Sequence, residues 1–230
     1  MAGMLFNGTT SKLEDTAFAA LNFDQMTFCG HVCPTAVGEF RTFIRADEFD
    51  NAWSVTATAS GTARFRYFGT ISNGVWTFPI GVDGVQSPIA VSFDRTSLLN
   101  DPVARYNYAA ATITETSAPG GLYVTPLAGY CVGNISTQTF TLAGGLMHFF
   151  VHNVILTAAE MDSQLRYPGS IRRGGILWLP MLNGTYTRAL AVSGDAWVTA
   201  ASSPTATDLA TFTTSSPKCR PLDADLPMAA

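Results

Sequence analysis

The chain alternates apolar and polar residues over short stretches that are separated by turn residues. Over 54–59, valine and alanine alternate with threonine, which places successive side chains on opposite faces of a strand. Asn73-Gly74 predicts a tight hairpin between 70–72 and 75–78, because both residues tolerate positive φ. Similar turn pairs are Ser60-Gly61, Asp83-Gly84 and Asn183-Gly184. Further strands are predicted over 62–68, 89–93, 109–116, 129–132 and 146–156. This spacing predicts an all-β antiparallel β-sandwich of the jelly-roll type.

One helix is predicted after the last of these strands. Thr157 is a suitable N-cap, and Glu160, three residues later, completes a capping box. The helix should end near Tyr167, because Pro168-Gly169 follows. A second, shorter helix of one or two turns is predicted over 15–21.

The strand over 146–156 is apolar on both of its faces. Strict alternation would place Leu146, His148, Phe150 and His152 on one face and Met147, Phe149 and Val151 on the other. A sheet with one solvated face alternates apolar and polar residues, so we expect both faces to be covered. The cover is expected to be residues 168–230 or a neighbouring subunit.

Several segments resemble the strands of laminin-G-like, concanavalin-A-type jelly rolls. The segment 145–161, a strand followed by Asn-x-x-Leu-Thr-Ala-Ala-Glu, is the most specific match. Weaker matches are 6–13, 26–32, 89–94 and 130–133. The resemblance implies two packed antiparallel sheets. It divides the chain into a laminin-G-like β-sandwich over 1–167 and a C-terminal β extension over 168–230, packed on the sandwich or on a neighbouring subunit.

The composition narrows the choice of partners. Charged residues make up 13% of the 230 residues, about half of the usual 25%. No basic run is present, so no nucleic-acid partner is expected. No apolar run is long enough for a transmembrane helix, and no signal peptide is visible, so no membrane partner is expected. A surface so poor in charge predicts a homo-oligomer or contacts within a larger assembly.

The cysteines and histidines suggest a metal site only weakly. Cys29, His31 and Cys33 would share one face of a strand and could form part of a zinc site. Zinc ligands are usually spaced Cys-x₂₋₄-Cys on turns, so free thiols on a partly buried face are the preferred interpretation. His148 and His152 are too far apart on an extended strand to chelate one ion, about 13 Å, and are interpreted as packed or interface residues.

Two patterns resemble catalytic motifs. Glu48-Phe49-Asp50 supplies two carboxylates but no third acid, whereas concanavalin-type glucanases use facing carboxylates on one strand. The segment 129–133 matches Gly-x-nucleophile-x-Gly, but turn and strand residues follow where a helix is needed. Cys131 is therefore interpreted as a small residue filling the sandwich. No catalytic, cofactor-binding or metal-binding residue is assigned, and the chain is predicted not to be an enzyme.

Two kinds of small ligand are considered. No cofactor is expected, although laminin-G-like domains often bind calcium through loop aspartates, and the candidates here are Asp47, Asp50, Asp83 and Asp94. Aromatic residues could stack on sugars, although sandwiches also use such residues in their cores. These aromatic candidates are Trp53, Tyr67, Trp76, Tyr106 and Tyr108.

The resemblance and the low charge together favour a virion role. The main hypothesis is a non-enzymatic virion structural protein of a tailed bacteriophage, a capsid decoration or cement protein or another accessory head or tail component, synthesised in the host cytoplasm. Its expected partners are capsid or tail proteins of the same virion. The alternative is a carbohydrate-binding adhesin, such as a receptor-binding tip or tail-fibre domain, with a glycan as partner. A glycan-active enzyme ranks last.

Overall fold

The computed structural model of the chain describes most of residues 2–180 and short segments beyond them. The described residues are 2–18, 21–35, 41–46, 53–59, 61–125, 129–134, 142–180, 190–193, 196–199, 204–207 and 210–213. No helix within them is long and apolar enough to cross a membrane. The elements in chain order are β1 (Ala2–Asn7), β2 (Lys12–Asp15), β3 (Gln25–Pro34), β4 (Arg41–Ala46), β5 (Trp53–Ala59), β6 (Thr62–Tyr67), β7 (Gly74–Pro79), β8 (Ser87–Asp94), β9 (Val103–Tyr106), β10 (Ala109–Ala111), β11 (Thr114–Ser117), β12 (Tyr130–Val132), β13 (Ala143–His152), α1 (Ala158–Arg166), β14 (Gly175–Leu179), β15 (Leu190–Ser193), β16 (Ala196–Thr199), β17 (Thr205–Thr207) and β18 (Ala210–Thr213).

These strands form two antiparallel sheets. Sheet I has the order β10-β9-β8-β3-β13-β14-β15-β16, and β1 lies between β13 and β18. Sheet II has the order β11-β7-β6-β5-β4-β12-β2-β17. Strand β13 pairs with β3 on one side, and on the other side first with β1 and then with β14. The chain after residue 168 therefore contributes strands to both sheets.

The interior of the sandwich is a single apolar cluster, because alternate residues of both sheets point toward each other. Phe65 stacks on Trp76 with ring centroids 5.9 Å apart, and Phe93 lies 5.3 Å from each of these two rings. The largest fully buried side chains include Trp53, Trp76, Tyr67, Tyr130, Phe28, Phe43, Phe65, Phe93 and Phe149. The predicted β-sandwich is confirmed.

Helix α1 begins and ends where the sequence predicts. The Thr157 side chain accepts a hydrogen bond from the backbone N–H of Glu160, and the Glu160 carboxylate accepts one from the N–H of Thr157, so the capping box is complete. Tyr167 is the C-cap. The Arg173 guanidinium also donates to the Glu160 carboxylate at 2.8 Å, which ties the helix to the segment before β14.

The second predicted helix, over 15–21, is wrong for the described part of that segment. Asp15 is the last residue of β2, and its carboxylate accepts a hydrogen bond from the backbone N–H of Ala17 at 3.1 Å. Aspartate makes this contact readily in turns. The apolar residues near this turn pack into the sandwich instead, as Phe18 and Leu21 show.

The predicted Asn73-Gly74 hairpin is also wrong. Strand β7 begins at Gly74, but it pairs with β6, which ends at Tyr67. The residues between them form isolated bridges with the distant segment 120–123 instead. The predicted strand over 109–116 is divided between β10 and β11, which belong to different sheets. Asn183-Gly184 lies outside the described residues.

Candidate functional site

The outer face of sheet I is closed by apolar side chains. Phe150 is 1% exposed and stacks on Trp178 with ring centroids 5.2 Å apart. The buried cluster on this face consists of Cys29, Ala90, Phe150, Leu156, Met161 and Leu165. We call this cluster the covered face. Since Met161 and Leu165 come from α1, the helix forms part of the cover.

A β-bulge in β13 decides which residues reach the covered face. The register between β13 and β3 shifts between Met147 and Phe150, and His148 has φ +50°. One extra residue shifts the alternation of the strand beyond it, so Leu146 and Phe149 both lie in the sandwich core while Phe150 joins the covered face. The prediction that Leu146 and Phe150 share a face is therefore wrong.

The bulge also brings His148 beside His31. Their ring centroids are 6.1 Å apart, both residues are buried, and neither Nδ1 has a hydrogen-bond partner among the described residues. Burial, and after it the nearby charge of His148, lower the pKa of His31 to about 4. Burial likewise lowers the pKa of His148 to about 4. Burial also lowers the pKa of His152, whose Nδ1 lies 3.0 Å from the carbonyl oxygen of residue 173.

The proposed thiol and imidazole group does not assemble as a metal site in the described part of the chain. Cys29 is a buried free thiol whose pKa is raised by burial. Cys33 is disulfide-bonded, so the free-thiol interpretation is wrong for this residue. Within the described ranges, no group of three or more His, Cys, Asp or Glu side chains is placed to hold a metal ion.

Of the calcium candidates, Asp94 is engaged locally. Its carboxylate accepts hydrogen bonds from the backbone and hydroxyl of Thr96 and from the amide of Gln25. These bonds, the Thr96 hydroxyl first, lower the pKa of Asp94. Asp83 lies in a turn, while Asp47 and Asp50 lie outside the described residues. Calcium binding stays a prediction.

The aromatic candidates do not form a sugar platform. Trp53, Tyr67 and Trp76 belong to the sandwich core and are at most 1% exposed, so these three rings are not available to stack on a sugar. Tyr106 and Tyr108 are half-buried, and an arginine guanidinium from α1 lies 3.9 Å from the ring centroid of Tyr108.

The two catalytic patterns give no active site in the described residues. Cys131 lies on β12 between Tyr130 and Val132, which both belong to the core. Alternation therefore directs Cys131 to the outer face of sheet II, and not into the sandwich as expected. Burial raises the pKa of Cys131 to about 12, which keeps the sulfur in its weakly nucleophilic thiol form at neutral pH. Glu48-Phe49-Asp50 lies outside the described residues.

The outer face of sheet II is polar. Strand β6 directs Ala63, Phe65 and Tyr67 into the core, so Arg64 and Arg66 point outward. In the strand register, Ser54 lies opposite both Arg66 and Arg45, and Thr56 lies opposite Arg64. We call the face formed by Arg45, Ser54, Thr56, Arg64 and Arg66 the arginine face.

The polar groups of the arginine face lie against one another and against one aromatic ring. The guanidinium carbon of Arg66 lies 4.0 Å from the ring centroid of Phe68, and that of Arg45 lies 5.9 Å from it. Arg64 and Arg66 are half-buried, whereas Thr56 is 4% exposed. The Thr56 hydroxyl and the Arg66 Nε are buried without a hydrogen-bond partner among the described residues. Burial lowers the pKa of Arg66.

The charges at the edge of this face are already paired. From Arg45 the register continues to Cys131 and then to Glu14. The Glu14 carboxylate lies 2.7 Å from the Lys12 ammonium group. The Glu14 carboxylate is therefore paired with Lys12, and Cys131 lies between Glu14 and Arg45 in the register of the sheet.

The sequence-based reasoning did not identify the arginine face. Its local signal is the order Thr-Ala-Arg-Phe-Arg-Tyr over 62–67, in which apolar and polar residues alternate strictly. This pattern places Arg64 and Arg66 on one face. The contribution of Arg45 depends on the pairing of β4 with β5, and no local pattern reports that pairing.

The two sheets, their antiparallel order and the helix after β13 define a jelly-roll β-sandwich. No family model and no curated protein matches the sequence. Solved structures do match the fold. A native heptameric SAP-like pentraxin from Limulus polyphemus matches with a TM-score of 0.61 and 14% identity, over 91% of this chain and 94% of the pentraxin.

Two further matches are with proteins whose descriptions refer to carbohydrate. A Bacteroides ovatus protein described as carbohydrate binding matches with a TM-score of 0.64 and 13% identity, over 92% of this chain and 60% of its own length. The CBM40 module of a Ruminococcus gnavus IT-sialidase matches with a TM-score of 0.53 and 12% identity, over 71% of this chain and 97% of the module. At these identities the likeness establishes the fold.

Proposed function

We propose that the chain is a non-catalytic carbohydrate-binding protein and that the arginine face is its binding surface. The observation that carries this proposal is the contrast between the outer faces of the sandwich. Apolar side chains and a helix close the face of sheet I, whereas on sheet II Arg64 and Arg66 are half-buried. The other side chains of the arginine face, Arg45, Ser54 and Thr56, are polar and buried. The fold neighbours described as carbohydrate binding support the same proposal.

The chemistry of the arginine face suits a saccharide. Sugar hydroxyls both donate and accept hydrogen bonds, and they need partners in fixed positions. Arginine supplies planar, directed donors, while serine and threonine hydroxyls can donate or accept. The side chains stand on three adjacent strands, β4, β5 and β6, and rigid strands hold such partners in place more accurately than loops do.

Hydrolysis is not part of the proposal. Glycosidases place two carboxyl groups about 5 to 9.5 Å apart around the scissile bond. In the described part of the face the functional groups are guanidinium and hydroxyl, and Glu14 is paired with Lys12. We therefore propose recognition without bond cleavage.

A glycan array with the purified full chain tests the proposal. We expect retention of a restricted set of glycans. Thr77→Trp should abolish it, because Thr77 lies opposite Arg64 on the neighbouring strand and the indole would cover the face. Val103→Trp is the matched control, since Val103 is 55% exposed on sheet I. The proposal fails if no glycan is retained, and the assigned surface is wrong if Thr77→Trp binds like the parent.

The virion hypothesis from the sequence gains no support from the comparisons and stays a prediction. Self-association also stays a prediction, since the described heptamer is that of the Limulus pentraxin. Sedimentation of the purified chain tests it, and a monomer at every concentration would contradict it.

A further inference from the structure

We infer that one end of the sandwich inserts into the surface of a lipid bilayer through the side chains of Ile71, Leu99 and Leu122. These side chains are 82%, 93% and 78% exposed, and we call them the apolar tips. The inference goes beyond the proposed function, because the apolar tips stand in loops and not on the arginine face. The expectation of no membrane partner rested on the lack of a spanning helix and a signal peptide, and insertion of loops needs no spanning helix.

Three aromatic rings bring the loops of the apolar tips to one end of the sandwich. Tyr67 is the last residue of β6, and Phe93 lies one residue before the end of β8. Their ring centroids are 5.5 Å apart, and the ring of Tyr123 lies 4.9 Å from that of Tyr67 and 5.7 Å from that of Phe93. The loops that meet at this end are 68–73 after β6, 95–102 after β8 and 118–125 after β11.

Hydrogen bonds between two of these loops hold Ile71 and Leu122 in place. The N–H of Ile71 donates to the carbonyl of Gly120 at 3.1 Å, and the carbonyl of Leu122 accepts from the N–H of Thr70 at 2.8 Å. Gly121 has φ +78°, and a Cβ at this position would lie 2.9 Å from a carbon of the Ile71 side chain. The two loops are therefore closely paired, and their apolar side chains face the solvent.

The loop that carries Leu99 is held at both of its ends. The Asp101 carboxylate accepts a hydrogen bond from the Trp76 indole N–H at 2.8 Å. The Asn100 side-chain amide donates to the carbonyl of Asp94 at 3.0 Å. Because the polar groups on either side of Leu99 bond within the chain, the loop presents Leu99 to the solvent in a fixed conformation.

The size of the exposed surface favours a bilayer over a protein partner. The three apolar tips could bury roughly 300 Å² together, at about 100 Å² for each side chain. A stable protein interface buries about 800 Å² on each partner, and protein interfaces are anchored mainly by Trp, Tyr and Arg. The apolar tips carry about 12 side-chain carbons, close to a myristoyl chain, which binds membranes reversibly with an association constant of about 10⁴ M⁻¹.

The charges of the three loops favour an uncharged bilayer surface. The segments 68–73 and 118–125 contain no charged residue. In 95–102 the single cation, Arg95, lies 3.3 Å from the Asp24 carboxylate, and Asp101 is an acid. Anionic lipids are attracted to clusters of lysine and arginine, which these loops lack. We therefore expect insertion into zwitterionic lipid that does not depend on anionic headgroups.

Co-sedimentation of the full chain with dioleoylphosphatidylcholine vesicles tests the inference. About half of the protein should be bound near 0.1 mM accessible lipid, as the association constant of about 10⁴ M⁻¹ implies. Leu99→Asp should lower the association constant at least about tenfold, and Ile71→Asp combined with Leu122→Asp should lower it further, because a carboxylate resists transfer out of water. Adding 20 mol% phosphatidylserine should change the constant by less than about twofold.

A matched control lies at the opposite end of the sandwich. Val82 is 60% exposed and follows the far end of β7, so Val82→Asp should bind vesicles like the parent. Leu99→Trp should be quenched by vesicles of brominated phosphatidylcholine, whereas Val82→Trp should not. Urea unfolding of each variant establishes that it folds.

Each outcome bears on a defined claim. Failure of the parent to sediment with phosphatidylcholine vesicles, or equal losses in Leu99→Asp and Val82→Asp, overturns the inference. Binding that requires phosphatidylserine overturns it as well. A dimer that Leu99→Asp dissociates, without vesicle binding by the parent, would assign the apolar tips to a second copy of the chain instead. None of these results changes the glycan array, so the proposed function stands or fails separately.

Discussion

The covered face and the arginine face lie on opposite sides of one sandwich and differ in how their side chains are satisfied. On the covered face, Phe150 stacks on Trp178 and packs with side chains of α1. On the arginine face, Arg66 stacks on Phe68 but keeps a buried Nε without a partner among the described residues. Burial therefore stabilises the contact of Phe150 with Trp178, whereas burial of the Arg66 Nε carries a cost.

This difference separates stability from recognition. Apolar side chains gain free energy wherever they are removed from water, so a helix laid on sheet I extends the core. A polar group gains little from burial and loses much when its partner is missing. The chain bears that cost at Arg66 on the arginine face, and also at the Nδ1 atoms of His31 and His148 on the sheet I side, among the described residues.

Of the changes considered, Phe150→Asp should have the largest effect on the free energy of unfolding. The carboxylate would lie at a position that is 1% exposed, and we expect the free energy of unfolding to fall by about 4 kcal/mol or more. Urea unfolding measures it. Phe150→Leu should cost about 1.5 kcal/mol and keeps the test usable if the aspartate variant does not fold. Thr116→Asp, exposed on sheet II, should change stability by only about 0.5 kcal/mol. Parent-like stability of Phe150→Asp would mean that the face is solvated.

Acid should lower the stability of the folded chain, because the buried histidines of sheet I resist protonation. The pKa values of His31 and His148 are lowered to about 4 in the folded chain, against about 6.5 when unfolded. Below pH 6.5 the unfolded chain binds protons that the folded chain does not, so stability falls as the pH decreases toward 4. We expect a loss of a few kcal/mol, since one pKa unit corresponds to about 1.4 kcal/mol.

Unfolding by urea at a series of pH values from 7 to 4 measures this loss. The variant with both His31→Phe and His148→Phe should show a flatter slope than the parent between pH 6.5 and 5. That part of the range lies above the usual pKa of carboxylates, which is about 4. An unchanged slope would show that these histidines are not the cause.

Thr157→Ala tests the helix that covers sheet I. Loss of the N-cap bond to Glu160 should lower the free energy of unfolding by about 1 kcal/mol. Thr114→Ala, the same change at an exposed strand position, should cost less. If the two variants lose equal stability, the cap does not contribute to the cover.

The smallest change is expected from Arg66→Gln. Loss of the contact with Phe68 costs about 0.5–1 kcal/mol, while removal of a half-buried cation acts in the opposite direction, because burial disfavours the charged form. The free energy of unfolding should stay within about 0.5 kcal/mol of the parent in the absence of glycan. A loss of several kcal/mol would assign Arg66 to the fold and remove the contrast between the faces.

Features decided by neighbouring residues could be read from the sequence. The capping box of Thr157 and Glu160 involves residues three apart, and it is formed as predicted. The alternation over 54–59 predicts β5, because period two is a local property of a strand. The sandwich follows from many such strands.

Features that depend on pairing between strands far apart in the chain could not be predicted from the sequence. The bulge at His148 forms because β13 pairs at once with β3, β1 and β14, and no residue near it marks the change of register. The same limit explains Trp53 and Trp76, whose chemistry suits either a core or a sugar platform until the sheets are packed. The arginine face joins β6 to β4 through β5, and only the part on β6 has a local pattern in the sequence.

Among the described residues, two buried free thiols can report local opening on each side of the sandwich. Cys29 lies on the covered face and Cys131 on the outer side of sheet II, and burial raises the pKa of both thiols. A thiol reagent can modify either sulfur only during moments of local opening, so its rate reports the free energy of that opening. The labelling rate of Cys29 should rise when the helix cap is lost. The labelling rate of Cys131 should fall when a glycan occupies the arginine face. A single labelling time course thus follows the stability of one side of the molecule and the occupancy of the other.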